Sequence, residues 1–369
     1  MYDFNEKLAK LAVRYALDVQ PEDLVSIEGS EVANDLMREM YIECVKVGAY
    51  PVVHSAIKGI GVAHLKLGND NQLMHISPVM KTVLNQYHKR IQISADYNRQ
   101  KLTLIPPEKT NMVQKNPEFP ELIQIYQERI AKKEMKWVIV PYPCDAMAQE
   151  AKMDTQSYTE FVYKALKLDQ DDPAAYWRNI EREQENKVQY LNNVESIHVL
   201  GEDTDLTLSV KGRPWENCCG HENLPDGEIF TSPVEDSVNG YIRFTFPGIY
   251  QGKEVENIYL GFKNGKVVKA TAEKGQELLE TILKIDNADV LGEFAVGTNF
   301  GITQFTKNML FDEKMGGTMH CALGMGFPET KSENLQCAIH WDILKDMKPP
   351  GSKIIADGKV IYEEGKWLI

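Results

Sequence analysis

The 369-residue chain has six cysteines but no C-x-x-C pair, so neither a zinc ribbon nor a thioredoxin-type redox site is indicated. It also lacks a G-x-G-x-x-G turn, a Walker A lysine loop and a G-x-S-x-G elbow. Their absence removes the usual dinucleotide, nucleotide and serine-hydrolase readings. "GIGVAH" (Gly59 to His64) has two glycines and no third. No apolar run reaches the length of a membrane span, and the opening "MYDFNEKLAKLAVRYAL" has no continuous apolar stretch like that of a secretory signal. Basic residues are outnumbered, 41 Lys and Arg against 54 Asp and Glu, for a net charge of −13. No basic run offsets this, which excludes a nucleic-acid partner as an expectation. A cytoplasmic, reduced setting is expected, with Cys218 and Cys219 as small apolar filling.

What remains is ordinary for a soluble domain pair: 43% hydrophobic and 26% charged residues. "NEKLAKLAVRYAL" places Leu8, Leu11, Ala12 and Tyr15 on one helical face. "LVSIEG" reads as a strand, Ser30 as the N-cap of a helix ending at Gly48, and "YPVVHS" as the next strand. That spacing is a βαβ unit, which requires parallel pairing. "RIQISAD" and "KWVIVPYP" are further strands, with the amphipathic "FPELIQIYQERIAKK" between them, and 156–191 reads as largely helical. After about residue 193 the pattern changes to period-2 alternation, with hairpin signals at Lys-Asn-Gly-Lys and Asp-Gly-Lys. The expected architecture is an α/β domain with a mostly parallel sheet over 1–192, then a mainly antiparallel α+β domain over 193–369.

The second half holds the residues with chemical potential. Glu228 follows a Pro-Asp-Gly turn, Glu293 lies inside the apolar "DVLGEFAVG", and His320 follows a Gly-Gly pair in "DEKMGGTMHCALG". "QCAIHWDIL", Gln336 to Leu344, alternates like a strand and turns His340 and Asp342 to one face. Taken singly, Glu228 reads as a turn residue, His320 as a core histidine and His340 with Asp342 as an ordinary pair. Glu293 needs a charge partner, a hydrogen bond or a metal if buried. Together, three carboxylates and two imidazoles are what two divalent metals about 4 Å apart require.

"PDGEIFTSP", "GEFAVGTN", "DEKMGGTMHCALG" and "HWD", in this order, resemble the metallopeptidase family of aminopeptidase T and aminopeptidase S. The opening "LAVRYALDVQPEDLVSIEGSEVANDLMREMYIECVKVGAYPVV" and the central "PCDAMAQEAKMDTQSYTEFVYKAL" resemble the same family, so the similarity covers nearly the whole chain. The resemblance implies a two-domain homodimer whose metals lie in the C-terminal domain. It implies removal of N-terminal residues from small peptides with a free N-terminus, by a water that two divalent ions activate. The family's metal positions fall on Glu228, Glu293, His320, His340 and Asp342, with Glu293 as ligand and proton carrier together. Zinc, cobalt and manganese all suit a mixed carboxylate and imidazole set.

One position departs from the family. It has a tyrosine seven residues after the first histidine; here "HCALGMGF" supplies Phe327. If that hydroxyl stabilises the tetrahedral intermediate, its loss costs a few kcal/mol, on the order of a hundredfold in rate. Two rival readings follow. His320, His340 and Asp342 alone would make the two-histidine, one-carboxylate set of a mononuclear iron dioxygenase; the other rival is a metal-binding homologue made inactive by Phe327.

Overall fold

The computed structural model describes residues 4–369, Pro107 by its backbone alone. The chain divides into two compact units: one runs to Ala174 and includes Gly220–Leu224; the other comprises Ala175–Cys219 and Pro225–Ile369. Among the described residues no helix is long and apolar enough to cross a membrane.

The first unit is built on four parallel strands, β1 (Leu24–Ser30), β2 (Tyr50–Ala56), β3 (Lys89–Ser94) and β4 (Lys136–Pro141), in the order β2-β1-β3-β4. The βαβ signals in the sequence act as expected. Ser30 Oγ accepts a hydrogen bond from Val32 N, the helix Asn34–Val47 follows, and Gly48 closes it at φ 92°. Three helices between β2 and β3, Ile60–Leu67, Asp70–Met74 and Pro78–Gln86, were not expected from the sequence. They span only eight, five and nine residues, so few turns are available to establish a 3.6-residue period, although the Asn69–Gln72 capping box and Ser77 before Pro78 mark two of their starts.

Among the described residues the second unit holds two large antiparallel sheets and a two-stranded hairpin, Gly248–Tyr250 with Lys253–Val255. The larger has eight strands and takes in the alternating segments Ser196–Gly201, Thr204–Ser209, Asn239–Arg243, Tyr259–Lys263 and Lys266–Thr271, together with the C-terminal meander from Lys353. Its hairpins turn at Asn264-Gly265 (φ 51° and 82°) and Asp357-Gly358 (φ 47° and 83°). Two successive positive φ values are what a two-residue hairpin needs, and these pairs tolerate them.

The smaller sheet has five strands: β5 (Glu216–Cys218), β6 (Glu228–Thr231), β7 (Leu291–Gly297), β8 (Thr318–Gly324) and β9 (His340–Asp346), in the order β9-β8-β7-β6-β5. One face of it supplies Ile229, Phe294, Val296, Cys321, Leu323 and Ile343 to an apolar cluster with Val199, Leu206, Ile242 and Leu260 of the larger sheet. Burial of these side chains fixes the register, because a one-residue slip would exchange the two faces. The other face is therefore defined just as firmly, and it carries the polar residues.

β9 begins at His340, four residues later than the alternation from Gln336 suggests. The last rung of the ladder is Gly324↔His340. Cys337 and Ile339 continue the alternation because they are buried in the apolar cluster, not because they pair with a strand.

Candidate metal centre

Register places the polar face residue by residue. Gly297 lies opposite Glu228, Ala295 opposite His320, Ala322 between Glu293 and Asp342, and Gly324 opposite His340. All five expected residues therefore point to one side of the sheet. The positions between them on β7 and β8 are Ala295, Gly297, Ala322 and Gly324, so almost no side-chain volume fills the space over the strands. Gly297 has a further role: a Cβ there would lie 2.2 Å from Met315 O. Its absence lets the segment before β8 cross closely over the sheet.

The structure brings the five together in one connected series. Glu228 Oε2 is 3.5 Å from His320 Nε2, which is 3.5 Å from Glu293 Oε1. Glu293 Oε2 is 3.0 Å from His340 Nε2, which is 3.2 Å from Asp342 Oδ1. Two triads result, Glu228–Glu293–His320 and Glu293–His340–Asp342, each with ligand atoms within 4.8 Å of one another. Glu293 belongs to both and gives one oxygen to each. The first triad is closed, with His320 1% exposed; the second opens outward, with His340 at 21%.

The chemistry of these contacts fits a bound cation. His340 Nδ1 lies 2.7 Å from the carbonyl oxygen of Met325. A carbonyl only accepts, so Nδ1 carries the proton and the Nε2 lone pair faces Glu293 and Asp342. A lone pair aimed at two carboxylates is repulsive unless a proton or metal lies between them. Glu228 Oε2 and Asp342 Oδ1 are buried and have no hydrogen-bond partner, which is costly without a cation.

The titration behaviour has the same origin. Burial alone would raise Glu293, but hydrogen bonds from His320 and His340, and their charge, hold it far below the usual carboxylate range. Burial would lower both histidines. Instead, the hydrogen bond and charge of Glu293, with Glu228 and Asp342, push His320 up to about 9. The nearby charge of Asp342, with that of Glu293, pushes His340 up to about 12. Without a metal, protons supply the positive charge that the buried carboxylates need.

Two residues at the site were not singled out in the sequence. Lys314 is 1% exposed; its Nζ donates to Glu228 Oε1 at 2.8 Å and also to Glu313. Burial would lower this ammonium, yet the charges of Glu228 and Glu313 raise it well above the ordinary lysine value. Glu313 is raised to about 8, chiefly by burial and then by Glu228 and Asp342 against the opposing Lys314. Both stand in the quoted "DEKMGGTMHCALG". Their link to Glu228 spans 86 residues, beyond the reach of any local pattern.

Phe327 packs its ring edge-on against His340, centroids 4.9 Å apart, and against Phe230 at 5.1 Å. Tyr250 packs on Trp341, whose side chain leaves β9 on the face opposite His340 and Asp342, and Tyr241 stacks on Tyr259 in the larger sheet. Neither tyrosine takes the place of the hydroxyl that Phe327 lacks.

A buried set of imidazoles and carboxylates on an antiparallel sheet, in a chain that opens with a parallel α/β unit, defines a metalloprotein type of scaffold, and the comparisons make it specific. The chain belongs to the thermophilic metalloprotease (M29) family, a family of metallo-aminopeptidases, whose model matches residues 3–367. It is 30% identical over 285 residues to aminopeptidase AmpS of Bacillus subtilis (strain 168), covering 66% of this chain and 68% of that one. It is 28% identical over 358 residues to aminopeptidase T of Thermus thermophilus, covering 88% and 85%. The solved structure of wild-type AmpT from Thermus thermophilus superposes with a TM-score of 0.86 over the whole of both chains at 24% identity, a likeness of fold. The family resemblance and the fold class read from the sequence, parallel α/β strands first and mainly antiparallel sheets after, are both borne out.

Proposed function

We propose that the chain is an aminopeptidase that uses two divalent ions to hydrolyse the first bond of peptides with a free N-terminus. The observation that carries this is the position of Glu293, which has one oxygen toward the histidine of each triad. Glu228 and His320 would complete one ion's ligands, and His340 with Asp342 the other's. A single-ion iron site would use only His320, His340 and Asp342, leaving the buried Glu228 and Glu293 without a ligand role.

Two such ions, zinc, cobalt or manganese, supply a water acidic enough to ionise near neutral pH and polarise the scissile carbonyl. The protein's own groups do the rest. Glu293, between the triads, would hold the ions and would also take a proton from the water. The carboxylates around the open triad attract the substrate's α-ammonium, which gives end-specificity without a deep pocket. Phe327 and Phe230 form an apolar edge beside His340 and leave the developing oxyanion without a hydroxyl donor from that side.

The resemblance also supports a homodimer. β2 is an edge strand with Tyr50, Val52 and Val53 exposed, and Tyr41, Ile42 and Val45 are exposed on the helix Asn34–Val47; edges of this kind are usually covered. All six cysteines are free thiols, as a reducing cytoplasm favours.

The test is digestion of a mixed peptide library by chelator-stripped protein reloaded with zinc, cobalt or manganese, each peptide with a free or an acetylated N-terminus. Metal-dependent loss of single residues from the free peptides alone is the expected result. No cleavage in any fully loaded sample overturns the reading; one iron per chain with dioxygen uptake would replace it with the dioxygenase.

A further inference from the structure

We propose that Lys314 is a built-in cation that makes the two ion positions unequal, weakening the ion at Glu228–Glu293–His320 and leaving the one at Glu293–His340–Asp342 tight. This rests on the two-ion reading above.

Glu228 is divided between two cations. Oε1 accepts from Lys314 Nζ at 2.8 Å, while Oε2 has no hydrogen-bond partner and faces His320. An ion held by Oε2 would have a positive charge on the far side of the same carboxylate, about 5 Å away by ordinary metal–oxygen and hydrogen-bond lengths. At that distance in a site closed to water, like charges repel appreciably. The electrons of Glu228 are also shared, so it is a weaker ligand than an unencumbered carboxylate. The second triad differs. Among the described residues, the ion pairs of Glu293 and Asp342 are with the two histidines, and no lysine or arginine is paired with either.

The surroundings show that this cation is held in place. Cys218, Asp226 and Glu228 also offer ligand atoms within 4.8 Å of one another. Lys314 binds Glu228 of this group on one side and Glu313 on the other, so the third cluster already has its positive charge from the chain. The lysine is delivered by the segment that crosses the sheet where Gly297 has no side chain: Asn299 N donates to Lys314 O at 2.9 Å, and a Gly297 Cβ would meet Met315 O. The consequence is ordered loading. The open triad fills first and stays filled; the closed triad holds the exchangeable ion.

The probe is cobalt(II) added to chelator-stripped, full-length protein, with bound metal measured by equilibrium dialysis and elemental analysis. Wild type should take up two ions in steps at least tenfold apart. D342N should lose affinity mainly in the tighter step, which assigns it. K314Q, which removes the charge, should strengthen the weaker step at least tenfold without changing the stronger, whereas K314R should keep the wild-type gap. K314M, which removes the charge with an unbranched side chain of similar length, should strengthen the weaker step as K314Q does; this keeps the test open if K314Q does not fold. A lysine that merely supports the fold would weaken both steps when replaced. Two ions bound with K314Q weakening both steps, or changing neither, overturns the role of Lys314 alone. Uptake of one ion or none by wild type overturns the two-ion reading with it.

Discussion

Both units of the protein carry charged side chains on a sheet, and the two groups differ in how their charge is balanced. On the parallel sheet, Arg90 Nε and Nη2 donate to the two oxygens of Glu28 at 2.9 and 2.8 Å, and Ser26 Oγ donates to Glu28 Oε1. One positive charge meets one negative charge in a two-pronged pair. The outcome is a Glu28 carboxyl below its usual range, although burial alone would raise it. On the antiparallel sheet, Glu228, Glu293 and Asp342 meet two imidazoles that would ordinarily be neutral and a single lysine. Balanced charge marks a structural pair; a deficit of positive charge among atoms of metal-ligand type marks a place for ions. The difference is visible only when the partners are counted together.

The comparison can be broken most severely at Glu293. E293Q should remove an oxygen ligand from both triads at once, lower kcat/KM on the order of a thousandfold, and reduce bound metal below two ions per chain. Retention of two ions by E293Q would mean that the shared carboxylate does not join the triads. At the open end, F327Y would restore a hydroxyl beside His340. We expect kcat to rise about tenfold or more with metal content unchanged; an unaltered rate would show that the apolar edge is not what limits turnover.

The balanced cluster supplies the opposite control. E28Q should leave Arg90 without its counter-charge and cost about 1–3 kcal/mol of stability in denaturant titration. Metal content should not move, and a loss of metal in this variant would undo the distinction drawn between the two groups. The last test uses Asp312, a carboxyl outside both clusters that isolates burial as a cause. Burial raises it to about 7 despite hydrogen bonds from Thr306 N and Oγ1 at 2.7 and 2.8 Å. The unfolded chain releases this proton near pH 4, whereas the folded chain keeps it until about 7. Folded protein therefore binds more protons in that window, and this group's share of stability is present below it and falls as pH rises through it. D312N should flatten that part of the stability–pH curve between pH 4 and 8; a wild-type curve with no such slope would show that Asp312 is ionised throughout.

Much of the fold was legible because its signals are local. The Ser30 cap, the Gly48 stop and the Asn264-Gly265 and Asp357-Gly358 turns each act within a few residues. The short helices after β2 carry only brief start signals, the Asn69–Gln72 capping box and Ser77 before Pro78. The candidate site was legible as residue types, and the ordered motifs pointed to five of them through family resemblance. Their convergence depends on register across four strands, which no local pattern states. Lys314 was missed for the same reason: its meaning lies in contact with Glu228, and next to Glu313 in the sequence it reads as an ordinary surface pair. Alternation also overran its cause at Gln336–Ile339, where burial imitates strand pairing.

The alternating geometry of the small sheet has one more effect, on assembly during folding. Slipping β8 by one residue would turn His320 into the apolar layer and expose Cys321 in its place. Ions held by side chains from β6, β7, β8 and β9 together would act as a proofreading clamp, since only the correctly registered sheet presents all five ligands to them. In hydrogen exchange these four strands would then be the part of the protein whose opening slows most when metal is added.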